Sequence, residues 1–210
     1  MITSQFFMGE NQSNFYNISL EVDKRSTAMF IDLSSHISSF GASSYKLDGI
    51  NFFPHISLFC LDLSEDGVLK AKNELTKISA TRKPIVTTTG SFFLWARGHF
   101  IVSLLNQDSI QEVHEETVYR LEGLRAKAIP DRYLDTRQFT TRQAQYISQY
   151  GFPFIFEEFI PHFTLTRFDE KDIIIKEPEV IPFEVVISGI SLNSVNNNRA
   201  KQIDYFEFEQ

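Results

Sequence analysis

Phe53-Pro54-His55-Ile56-Ser57-Leu58 and Ile160-Pro161-His162-Phe163-Thr164-Leu165 repeat one pattern: apolar, Pro, His, apolar, Ser or Thr, Leu. The bare His-x-(Ser/Thr) triplet carries little information. With 33 Ser and Thr among 210 residues, five histidines give about one match by chance. His36-Ile37-Ser38 is such a match. Adding the Pro before and the Leu after lowers the expectation to the order of 0.001 occurrences, yet the pattern occurs twice.

Each copy lies in a segment apolar enough for a central strand, residues 52–63 and 159–168. Side chains alternate faces along a strand, so His55 and Ser57 point one way and Ile56 and Leu58 the other. His162 and Thr164 are paired in the same manner against Phe163 and Leu165. His36 falls in a helical run, where positions i and i+2 diverge by about 200°; it reads as a core-facing histidine on the apolar stripe. His99 and His114 also read as structural.

Outward from these strands, Tyr16, Ile18, Leu20 and Val22 alternate with polar residues, predicting a strand with one buried face. Met29, Leu33, Ile37 and Phe40 predict a helix ended by Gly41. Ser64 before Glu65 and Asp66 is an N-cap for a helix that stops before Pro84. Residues 85–94 and 99–105 predict a hairpin turning at Arg97-Gly98. Ile110, Val113, Thr117, Leu121 and Leu124 mark a longer helix. Residues 128–139 form a loop, and Thr140 with Gln143 makes a capping box for a helix closed by Gly151. Residues 183–195 and 201–208 predict a closing hairpin around Asn196-Asn197-Asn198. The order is that of an α+β fold in which each half holds a central strand, a connection and a hairpin.

Composition narrows the function. Twenty Lys and Arg against 27 Asp and Glu leave a net charge of -7, which argues against duplex nucleic acid as a partner. No apolar run is long enough for a membrane span, the first ten residues lack a signal-peptide pattern, and one cysteine, Cys60, excludes a disulfide framework. A cytoplasmic protein is expected, with monomer as the default state. Two imidazoles beside two hydroxyls suit phosphodiester chemistry. One His can act as base and the other as acid, while the hydroxyls donate to non-bridging oxygens. The sequence has no zinc-spaced Cys/His cluster, so no metal and no cofactor is expected.

The paired Pro-His-Ile-Ser-Leu and Pro-His-Phe-Thr-Leu stretches resemble the two-histidine (2H) phosphoesterase superfamily, which includes 2'-5' RNA ligase-like proteins and cyclic phosphodiesterases. The resemblance covers most of the chain. It implies one domain over residues 1–210 of two interleaved lobes: a bilobal, pseudo-twofold pair of antiparallel sheets with helices on the outer faces and a central groove. It implies His55 and His162 as catalytic residues, Ser57 and Thr164 as phosphate-binding residues, and a cyclic phosphate, a 2'-5'-linked nucleotide or a short RNA end as ligand. Hydrolysis, ligation and binding without turnover all remain open at this point. Thr141-Arg142-Gln143, Tyr150-Gly151-Phe152-Pro153 and Glu157-Glu158-Phe159 are similar to a phosphonate-metabolism branch, which would imply a ribose cyclic phosphate; members of that branch often lack the Pro that stands here at 161. Three further residues are candidates for substrate contact. Arg167 matches a basic position in some relatives, although strand alternation turns it away from Thr164. Tyr16 could stack on a base but sits on an apolar face, and Lys201 lies on the last strand.

Overall fold

A computed structural model describes residues 14–94, 98–169, 181–196 and 199–209. Eight strands form one antiparallel sheet: β1 (Asn14–Val22), β2 (Ser43–Lys46), β3 (His55–Leu63), β4 (Ile85–Leu94), β5 (His99–Leu105), β6 (His162–Phe168), β7 (Glu184–Asn196) and β8 (Arg199–Glu207). Their order is β2-β6-β5-β4-β7-β1-β3, with β8 also on β7. The helices are α1 (Lys24–Ser38), α2 (Glu65–Ser79), α3 (Asp108–Leu121) and α4 (Thr141–Tyr150). None of the described helices is long and apolar enough to cross a membrane.

The two expected sheets are wings of this single sheet. One wing is β3-β1-β7-β8 and the other is β4-β5-β6-β2. They join because β7 is long. Its first residues pair with β4 (Ile85↔Ile187 to Thr88↔Glu184) and its later residues pair with β8 on that same edge (Gly189↔Glu207 onward). The sheet forks where β4 gives way to β8, and the groove opens at the fork. Helix α1 backs the β2–β6 wing, whereas α2 and α3 back β3, β7 and β8.

Most boundaries follow local chemistry. Ser64 caps α2, its side chain accepting from the Gly67 N–H. Thr140 and Gln143 form the capping box of α4, and Gly151 closes it in the left-handed conformation (φ 75°). Helix α1 starts from Asp23 and ends at Ser39 rather than Gly41, because the Ser39 N–H already reaches the His36 and Ile37 carbonyls. The central strands begin at His55 and His162, not before, since Pro54 and Pro161 have no N–H to give a ladder. Strand β2 was unexpected: Ser43–Lys46 is a four-residue edge strand with no apolar alternation to announce it. Two short 3-10 turns (Asp131–Tyr133, Thr136–Gln138) structure the predicted loop. Arg97 of the first turn and Asn197-Asn198 of the second lie outside the described residues.

Candidate active site

Both central strands carry a bulge at the same place. In β3, Ser57 pairs with Ser19 and Phe59 with Ile18, so Leu58 is the extra residue. In β6, Thr164 pairs with Ile101 and Thr166 with Phe100, so Leu165 is the extra residue. A bulge frees ladder groups that must be satisfied elsewhere. The Leu58 carbonyl accepts from His114 Nδ1 on α3 (2.9 Å) and the Leu165 carbonyl from Ser34 Oγ on α1 (2.5 Å). The repeated Leu therefore marks a buried bulge, pinned in each wing by the helix beneath it.

The bulge also resets alternation. Beyond it, position +3 from the hydroxyl returns to the His face. Arg167 thus lines the groove together with Thr164, correcting the expectation that it points away. The matching residue in β3 is Cys60, a buried thiol that burial pushes up to about 12. It hydrogen-bonds Asn17 Oδ1 at 3.5 Å, and Asn17 Nδ2 donates to Ser57 Oγ at 2.9 Å. Asn17 fills an acceptor site on Ser57 and leaves the hydroxyl proton for a ligand.

The two histidines are held alike. His55 Nδ1 lies 2.9 Å from the Phe53 carbonyl and His162 Nδ1 lies 2.7 Å from the Ile160 carbonyl, each two residues back. A carbonyl only accepts, so each Nδ1 carries the proton and the neutral ring keeps Nε2 as its basic nitrogen. Burial, the largest influence, holds His162 below the ordinary histidine range; His55 and His99 push the same way and the Ile160 carbonyl opposes them. The three imidazoles are thus within electrostatic reach of one another.

A groove of about 390 Å³ spans both wings and is lined by His55, Thr164 and Arg167 with Glu21, Tyr45 and His99 among others. Tyr45 stacks on Phe52 at 4.9 Å and is pushed by burial to about 12, against the opposing pull of Thr164 and Arg167, so its hydroxyl stays protonated. Glu21 sits directly across from His55 in the β1–β3 register. No group of three or more His, Cys, Asp or Glu among the described residues is arranged to hold a metal ion.

Two candidates are not brought here. Tyr16 is buried on the opposite face of β1 from Asn17 and Glu21. Lys201 lies between Ala200 and Gln202, which line the groove, and strand alternation turns it away. His36 is exposed against Phe40, not core-facing, since the α1 stripe runs through Phe30, Leu33, Ser34 and Ile37. His99 is no plain structural residue: it lines the groove. His114 does prove structural. Asn17, Glu21, Tyr45 and His99 escaped the sequence reading. Asn17, Ser19 and Glu21 look like the wet face of a half-buried strand, yet that face is buried beneath the second wing's approach, with Asn17 and Ser19 at 7% and 0% exposure.

The chain shares its fold with solved LigT-like structures. TT0787 of Thermus thermophilus superposes with a TM-score of 0.60 at 12% identity, covering 92% of this chain and 97% of its own. E. coli LigT complexed with 3'-AMP gives 0.60 at 13%, over 95% and 100%. The MHV ns2 PDE domain gives 0.52 at 14%, over 86% and 99%. LigT has also been solved with ATP, NADP+ and phosphate. A search of curated protein sequences finds no match. The family described as Protein of unknown function (DUF1045) matches residues 64–174, just over half of the chain, and the chain belongs to that family. The match includes the His162 motif and stops short of the His55 motif.

Proposed function

We propose that the protein is a phosphodiesterase that opens a small cyclic phosphate, a 2',3'-cyclic nucleotide or a ribose cyclic phosphate, or cleaves a 2'-5'-linked nucleotide, with His55 and His162 as its acid–base pair. The observation that carries this is the matched geometry of two separate strands. Each presents an imidazole held through Nδ1 and a hydroxyl two residues on along the same face. One Nε2 takes the proton of the attacking water as the other protonates the leaving ribose oxygen. Ser57 and Thr164 donate to the non-bridging oxygens, and Arg167 adds a positive charge. These groups supply acid, base and anion donors themselves, so turnover is expected to persist in EDTA. Nucleotide ligands of LigT support a nucleotide here.

A substrate panel tests the reading: 2',3'-cyclic nucleotides, ribose cyclic phosphates and 2'-5' oligonucleotides, with and without EDTA. EDTA-resistant cleavage of one class is expected. Binding of a nucleotide with no cleavage of any would contradict an enzyme and favour a binding module; joining of RNA ends without hydrolysis would make it a ligase.

A further inference from the structure

We propose that a second cavity, between α3, α4 and the 3-10 turn Phe156–Glu158, is a binding site for an N-methylated ammonium group. The cavity measures about 480 Å³ and shares no lining residue with the groove. That volume suits a small molecule.

Its walls are aromatic. Tyr119 from α3, Tyr146 from α4 and Phe156 from the turn line it, together with the buried Phe159. The Tyr119 and Phe156 rings lie 5.3 Å apart at 38°, and the Tyr146 and Phe156 rings 5.7 Å apart at 67°. Rings inclined in this way make adjoining walls rather than a closed stack. Phe156 has a left-handed backbone (φ 52°), uncommon for a bulky residue. His114 Nε2 fixes it by accepting from its N–H at 2.9 Å, and Gln111 Nε2 donates to its carbonyl at 3.3 Å. Phe159 is fixed by stacking on the His114 ring at 3.9 Å.

The charge at the cavity is negative. Glu115 and Glu157 line it, and among the described residues no Lys, Arg or His does. Neutral donors orient both carboxylates: Gln111 Nε2 donates to Glu115 Oε1 at 2.8 Å, and the Tyr146 hydroxyl donates to Glu157 Oε2. The Tyr146 hydrogen bond, with Arg142 nearby, holds the Glu157 carboxyl below the ordinary range, so it is ionised at neutral pH. Arg120, next to Tyr119, is committed to Glu116 and Glu74 at 2.8 and 3.0 Å. Arg142 is within electrostatic reach of Glu157 but does not line the cavity.

Aromatic rings and fixed carboxylates attract the same ligand, a positive charge spread over alkyl groups. Glu115 and Glu157 repel an anion, and a neutral apolar molecule would strip water from both without compensation. The N-methylated ammonium can belong to a free small molecule or to a methylated lysine on a peptide; the chemistry recognised is the same.

Titration of the full chain with choline tests the proposal, followed by proton NMR of the choline methyl groups and of the tyrosine rings. Saturable binding is expected, with the methyl signal moved upfield by the rings. The uncharged isostere of choline, carbon in place of nitrogen, should bind about tenfold more weakly or worse. Tyr119 is 61% exposed, so Tyr119→Ala should keep the native melting temperature while weakening choline by about 3- to 30-fold. Glu157→Gln should weaken it by a similar factor. Binding of a trimethyllysine peptide instead of choline, lost in the same variants, would uphold the chemistry and assign the site to a protein partner. No saturation by either ligand at about 10 mM, equal binding of the uncharged isostere, or an affinity unchanged in Tyr119→Ala would overturn the proposal. None of these readouts depends on turnover in the groove. Should Glu157→Gln not fold, Tyr119→Ala and the isostere decide.

Discussion

His55 and His162 each rest Nδ1 on a carbonyl of their own chain, an arrangement that needs no partner from elsewhere in the fold. The Pro between that carbonyl and the histidine restricts φ and keeps the segment extended, so the motif itself aims Nε2. Ser57 depends on a distant residue instead. Replacing Asn17 with Ala removes its donor and frees the hydroxyl to rotate; kcat should drop several-fold with KM nearly unchanged, as steady-state kinetics would show. In the proposed reaction, His162 acting as base would set the acidic side of the pH profile. Because burial lowers it, the unprotonated base persists below the ordinary histidine value of about 6.5. The acidic limb of kcat/KM is therefore expected below pH 6.5. His99→Ala removes one of the like charges that lower His162, so in that variant the limb should move up.

At the scale of elements, the bulges at Leu58 and Leu165 do the positioning. The Pro-His-x-(Ser/Thr)-Leu repeat was legible because its residues are rare, but the bulge behind its Leu was not. A bulge depends on carbonyls captured by helices far away in sequence, Ser34 on α1 and His114 on α3. Without it, period-two counting puts Arg167 on the wrong face. Arg167→Gln should accordingly raise KM for an anionic substrate and leave the melting temperature within a degree or two. His114 is fully buried, donates to Leu58 through Nδ1, accepts from the Phe156 N–H at Nε2 (2.9 Å), and is lowered by burial to about 4. It binds a proton more readily unfolded than folded, so its stabilisation is complete above about pH 6.5 and is lost as pH falls toward 4. The loss amounts to roughly 3 kcal/mol below that range. Denaturant melts at pH 7 and pH 4.5 should show it, and His114→Gln should flatten the difference. Gly98, at φ +80°, has the Phe168 carbonyl oxygen 2.3 Å from where a Cβ would stand. Gly98→Ala is expected to destabilise by about 2 kcal/mol or more, measured the same way.

Across the whole molecule, the class of fold was legible because strands and helices announce themselves by period and by caps: Ser64, Thr140, Gly151. The fusion of two wings into one sheet was not. It rests on β7 pairing with β4 and β8 in turn along one edge, a choice made by long-range packing that no local period encodes. The same long-range closure turns the polar face of β1 into the groove wall, which is why Asn17 and Glu21 stayed hidden in the sequence while the histidines did not.

Cooperation of the two wings on one phosphate is most directly measured by a double-mutant comparison of cyclic nucleotide hydrolysis in the native chain, His55→Ala, His162→Ala and the double variant. Each single change should lower kcat by about 10²- to 10⁴-fold, and the double should be little worse than the more severe single, since either leaves the acid–base pair incomplete. Wild-type turnover in either single variant would contradict the account.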